Sequence, residues 1–146
     1  MNKQLIIGIL VLLITLSSVN LVDATIVSTF WTSPSEGRSI TIENGQTATF
    51  HTVISANNPP IDYTMKLYRS GGILIKTLEQ GTISSNSESF DNSIKASDYQ
   101  TEGSYFVEIV ATDRYGRDSE RIDLTVIKES QEPENHDPII PNRLLK

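Results

Sequence analysis

Residues 102–126 read EGSYFVEIVATDRYGRDSERIDLTV, and this stretch decides the fold. Its first half alternates, with Tyr105, Val107, Ile109 and Ala111 on one face and Phe106, Glu108 and Val110 on the other. Asp113-Arg114-Tyr115-Gly116 interrupts the alternation with turn residues. The pattern then resumes, setting Ile122, Leu124 and Val126 against Arg121, Asp123 and Thr125. Successive side chains of a strand point to opposite faces, so a period of two over this length predicts half-buried antiparallel strands joined as a hairpin.

The same period recurs upstream. Residues 46–55 place Ala48, Phe50, Thr52 and Ile54 on one face, and residues 63–69 group Tyr63, Met65 and Leu67. Weaker strand patterns cover 25–31, 38–42, 73–78 and 85–90. Between them lie turn residues: Glu43-Asn44-Gly45, Asn57-Asn58-Pro59-Pro60 and Gly71-Gly72. Asn and Gly tolerate positive φ, and proline cannot donate to a ladder. Residues 93–99 (SIKASDY) are expected to form one helical turn. The chain therefore reads as all-β, an antiparallel sandwich of about seven strands.

The ends differ in kind. Lys3 precedes an apolar run from Leu5 to Leu16, and Val22-Asp23-Ala24 follows with small or aliphatic residues at −3 and −1. That layout predicts a secretory signal peptide over 1–24, cleaved after Ala24. The run of about 12 residues is short for a bilayer, which needs ~20, so an anchored form requires that the segment stay uncleaved. The sandwich is assigned to 25–127. Residues 128–146, with three prolines and several charges, read as a tail or linker in which Ile139, Ile140, Leu144 and Leu145 are the apolar features.

Composition narrows the function. The 146 residues carry a net charge of −6 and no cysteine. An acidic chain has no surplus of cations to neutralise phosphates, which argues against nucleic acid as a partner. Without cysteine there are no disulfides, thiolate metal sites or thiol catalysis. Removal of residues 1–24 takes away one lysine and one aspartate and leaves the net charge unchanged.

The segment opening on Gly103-x-Tyr105, continuing through Ala111-Thr112-Asp113 and Gly116, and closing on Leu124-x-Val126 resembles the last two strands of immunoglobulin-like modules on prokaryotic surfaces. That class includes bacterial Ig-like, PKD-like and cadherin-like domains. The resemblance implies a surface or secreted location and a non-catalytic role in protein interaction, adhesion or envelope structure. It further implies that Tyr105 caps a corner, its hydroxyl bonded to backbone just upstream, while Gly103 and Gly116 shape the flanking turns.

Candidates for chemistry are few. His51 falls opposite the core face of its strand and His136 lies in the tail, so neither is expected to serve as a base. There is no Gly-x-Ser-x-Gly elbow and no phosphate loop. The chain is expected not to be an enzyme and to need no cofactor. Asp113 and Asp118, near a turn, are weak calcium candidates that more simply cap backbone amides. Trp31, Tyr68, Phe106 and Tyr115 are candidate exposed aromatics for ligand binding, although Trp31 reads slightly better as core filler beside an outward Phe30. The expected partner is a cell-envelope protein or, as the alternative, a glycan stacked on those rings.

Overall fold

A computed structural model describes residues 25–99 and 101–129; the predicted signal peptide and all but the first two residues of the predicted tail lie outside these. Eight strands follow in order: β1 (Ile26–Ser33), β2 (Ser39–Glu43), β3 (Ala48–Ser55), β4 (Ile61–Arg69), β5 (Ile73–Ile83), β6 (Ser87–Ile94), β7 (Gly103–Thr112) and β8 (Arg117–Ile127). They form a three-stranded sheet, β1-β3-β6, and a five-stranded sheet, β2-β8-β7-β4-β5. The architecture is an all-β, Ig-like sandwich.

Alternation produces this directly. The burial of β3 alternates strictly, with Ala48, Phe50, Thr52 and Ile54 inward, and β7 buries Tyr105, Val107, Ile109 and Ala111. The inward residues of the two sheets meet in one core that includes Trp31, Phe50 and Ile54 from one side and Met65, Leu67, Ile109 and Leu124 from the other. Burial of that apolar area, with no disulfide available, is what holds the sheets together.

The eight strands fall on the segments read from alternation. Two expectations need correction. Ser33 to Gly37 carries Pro34, which cannot donate, and Gly37 at φ 148°. The chain therefore leaves the first sheet after β1 and joins the second as β2. Having crossed without reversing, β2 lies parallel to β8, with Ile40 opposite Leu124 and Ile42 opposite Val126, so the sheets are not wholly antiparallel. Finally, residues 93–99 do not form a helical turn. β6 runs to Ile94, and Asp98 then closes a tight turn by accepting the Lys95 amide at 2.9 Å while its own amide donates to the Lys95 carbonyl at 2.8 Å. The aspartate competes with a helix for the backbone and wins.

Seams between the sheets are polar but satisfied. The Trp31 indole on β1 donates to the Asp123 carbonyl on β8 at 2.9 Å and meets Phe50 edge-on at 5.5 Å. On the outward edge of β1, the Val27 amide donates to Asp118 Oδ2 at 2.8 Å and the Thr29 amide to Glu120 Oε2 at 2.6 Å. An edge whose amides are already bonded to carboxylates is a poor template for a further strand.

Candidate functional site

The outer face of the five-stranded sheet brings together side chains from three adjacent strands. Tyr68 on β4 pairs with Phe106 on β7, which in turn pairs with Asp123 on β8. Directly opposite positions place side chains close enough to touch. Here the Tyr68 and Phe106 rings stack with centroids 5.0 Å apart and planes 13° off parallel. The Arg121 guanidinium covers the other face of Phe106, 3.9 Å from its centroid. Asp123 holds Arg121 in place, accepting from Nε at 2.8 Å and Nη2 at 2.6 Å.

The stack has a definite surface chemistry. Both rings are half-buried and Arg121 is 58% exposed. Burial, then the charge of nearby Glu108, raises the Tyr68 hydroxyl above its ordinary range, so it remains a neutral donor. Beside the stack a groove of about 210 Å³ is lined by Ser70, Ser104, Phe106, Arg121, Asp123 and Thr125. The face offers a cation, aromatic edges and hydroxyls.

The remaining candidates lie elsewhere. Trp31 is fully buried, which removes it from the exposed aromatics; strand parity turned it inward and left Phe30 outside, 38% exposed. Tyr115 is 48% exposed under the Arg114 guanidinium, but it sits in the β7–β8 turn, beyond the far end of β7 from Phe106. Six residues of strand separate Phe106 from Thr112, a rise of roughly 20 Å. The Tyr105 hydroxyl donates to the Thr101 carbonyl at 2.6 Å. Gly103 adopts φ 143°, where a side chain is strained, whereas Gly116 shows no positive φ and open space where a Cβ would stand.

Asp113 Oδ1 accepts the amides of Tyr115 and Gly116, both at 2.8 Å. Asp118 takes the amides of Val27 and Ser119. No group of three or more His, Cys, Asp or Glu side chains suited to a metal occurs among the described residues. His51 Nδ1 lies 2.7 Å from Asp91 Oδ1, but on the outer face of the three-stranded sheet, where the Asp91 side chain is 86% exposed. A histidine–carboxylate pair on an open face has no walls to exclude water or orient a substrate. His136 lies outside the described residues.

What sequence reading missed is Arg121. It stands opposite Glu108 in the register, but leans along its own strand to Asp123 and across to Phe106. The only available signal was its i, i+2 spacing from Asp123 on one face.

The fold belongs to the immunoglobulin-like class of sandwiches. Among solved structures it is similar to a CARDB domain from Pyrococcus furiosus, crystallised in complex with di-metal ions, at a TM-score of 0.50 and 10% identity over 73% of this chain and 96% of that one. The C-terminal domain of Wzt gives a TM-score of 0.47 and 12% identity over 74% of this chain and 80% of that one. A chimeric titin Z1Z2 fragment gives 0.47 and 22% over 74% of this chain, which spans half of the fragment. At these identities the likeness speaks to the fold alone. No family model and no curated protein matches the chain. No helix among the described residues is long and apolar enough to cross a membrane.

Proposed function

We propose that this chain is a secreted or cell-surface, non-catalytic interaction module of the prokaryotic Ig-like kind, and that it engages a cell-envelope protein through the outer face of its five-stranded sheet. The observation that carries this is the Arg121–Phe106–Tyr68 stack. Arginine and aromatic side chains, pre-ordered on a rigid sheet, concentrate binding energy because little entropy is lost when they are covered. The signal-peptide pattern of residues 1–24 supports export, and the rigid strands support a role in adhesion or envelope structure. Calcium has no part in this reading, since Asp118 directs both oxygens, and Asp113 its Oδ1, to main-chain amides.

A glycan is the weaker partner. Sugars stack on free ring faces. Phe106 has one face against Tyr68 and the other under Arg121, and Trp31 is buried.

The test is a capture experiment with the exported protein immobilised and solubilised envelope material passed over it. A protein retained by the wild type and lost with Phe106→Ala and Arg121→Ala supports the reading. Phe106→Ala should cost only about 1 kcal/mol of stability, as for a half-exposed cross-strand pair, so the fold survives. Retention unaffected by both substitutions, or retention of polysaccharide instead, overturns it.

A further inference from the structure

Three residues of the segment entering and forming β1 share one side of the strand. Backbone amides at i, i+2 and i+4 of a strand point the same way. The Thr29 amide donates to Glu120 and the Val27 amide to Asp118, so each finds a carboxylate. Two residues earlier Thr25 lies just ahead of β1, its side chain beside Asp113 in the β7–β8 turn. There Asp113 is only 8% exposed, and its Oδ2 is buried without a hydrogen-bond partner. The Thr25 hydroxyl, in a residue 3% exposed, is also buried and makes no hydrogen bond of good geometry, although it stands beside Asp113. The two residues are neighbours. The Tyr115 amide chiefly, then the Gly116 amide, the Thr25 hydroxyl and Arg114, hold Asp113 below its ordinary range against the upward push of burial. Covalent geometry keeps the Thr25 nitrogen within about 4 Å of its own hydroxyl.

A buried carboxylate oxygen without a donor is costly. The expected cleavage point lies at the peptide bond preceding Thr25. We infer that Asp113 is the docking site for the chain's own processed N-terminus. An export peptidase hydrolyses the Ala24–Thr25 bond with one water; the C–N bond breaks, Ala24 leaves as a carboxylate and Thr25 gains an α-ammonium. That ammonium pairs with Asp113 Oδ2 and completes the row of carboxylates that ties β1 to β8 and its turn. The pairing forms only after the leader is removed, so processing and the final locking of the domain are one event. This inference rests on the export reading of residues 1–24 but not on the partner-binding face.

The charges around the site leave room for the cation. Arg114 lies in the turn, Arg117 begins β8 with Asp118 next to it, and Asp62 on β4 stands opposite Thr112, where it accepts from the Thr82 hydroxyl at 2.6 Å. The acids outnumber the bases once Asp113 is included. The α-amine should therefore titrate above its ordinary value of about 7.7–8.0. Its stabilisation is fully present below that value and is lost as pH rises through the raised one.

The full chain and its Asp113→Asn variant would be expressed in a secreting host and recovered after processing. N-terminal sequencing and intact mass then locate the cleavage. The α-amine is titrated by NMR after isotopic dimethylation of the N-terminus. Asparagine retains Oδ1 for the Tyr115 and Gly116 amides, so the turn persists. The expected result is an N-terminus at Thr25, an α-amine titrating above the ordinary range in the wild type, and a return to that range in Asp113→Asn. An N-terminus elsewhere overturns the processing step and, with it, the export reading as stated. Cleavage at Thr25 with a wild-type α-amine inside the ordinary range overturns the pairing while leaving export intact. That wild-type measurement decides the matter even if the variant fails to fold.

Discussion

Replacing Tyr105 by phenylalanine isolates a single hydroxyl. Tyr105 is 3% exposed, its ring packs 6.1 Å from that of Tyr99, and its hydroxyl donates to the Thr101 carbonyl at 2.6 Å. The ring and its buried area survive the substitution, so the loss is the hydrogen bond and the state of the carbonyl left behind. A neutral hydrogen bond contributes about 0.5–1.5 kcal/mol net. Thr101 itself is exposed, so water can reach the vacated carbonyl and the larger penalty for a buried orphan does not apply. The expected cost is about 1 kcal/mol. Trp31 is the only tryptophan in the chain and is fully buried, so its fluorescence reports unfolding without added label. With a urea dependence of about 2 kcal/mol per molar, the midpoint should fall by roughly 0.5 M, and thermal unfolding should fall by about 4–8 °C. Tyr105→Ala, which also opens a cavity, should cost about 3–5 kcal/mol. If Tyr105→Phe unfolds at the wild-type urea concentration while Tyr105→Ala does not, the hydroxyl does not hold the corner and the ring alone matters.

Two further outcomes are accessible to the same assay. Burial pushes the Asp98 carboxyl up, but the Lys76 ammonium at 2.6 Å, the Lys95 amide and both lysine charges outweigh it and hold it below its ordinary range. Its contribution is therefore present above the unfolded value of about 3.9 and lost as pH falls through the lower folded value; Asp98→Asn should cost about 1 kcal/mol at neutral pH and flatten the acid limb, and an unchanged limb would refute the assignment. At Gly81, a Cβ would stand 3.1 Å from the Tyr63 ring, whose hydroxyl is pushed up to about 12 by burial and by donation to Glu79. Gly81→Ala should displace that ring from Phe90 and cost about 1–3 kcal/mol, seen as altered near-UV circular dichroism; an unperturbed spectrum would show that the strand gives way instead.

Strand parity was legible because a half-buried strand exposes its period in the chain itself. The inward faces of β3, β4, β7 and β8 follow from alternation alone. Parity also turned Trp31 inward by making Phe30 its outward neighbour, yet adjacency alone could not say which of the two faced the core. β5 was harder to read, since its register shifts twice against β4 and its Ile73, Leu74 and Ile75 are all exposed at the sheet edge. Bulges of this kind break the alternation on which sequence reading depends.

By itself the sequence determined the all-β class, the core faces, the turns at Gly45 and Gly71-Gly72, and the absence of disulfide support, because each is a local consequence of side-chain period, backbone freedom or composition. Tertiary structure alone decided which strands are neighbours. That choice placed β2 parallel to β8, set Tyr68 beside Phe106 from positions 38 apart in the chain, and brought the Thr25 side chain beside Asp113. Pairing across a sheet is fixed by how the two inward faces fill one core, and no local pattern records it.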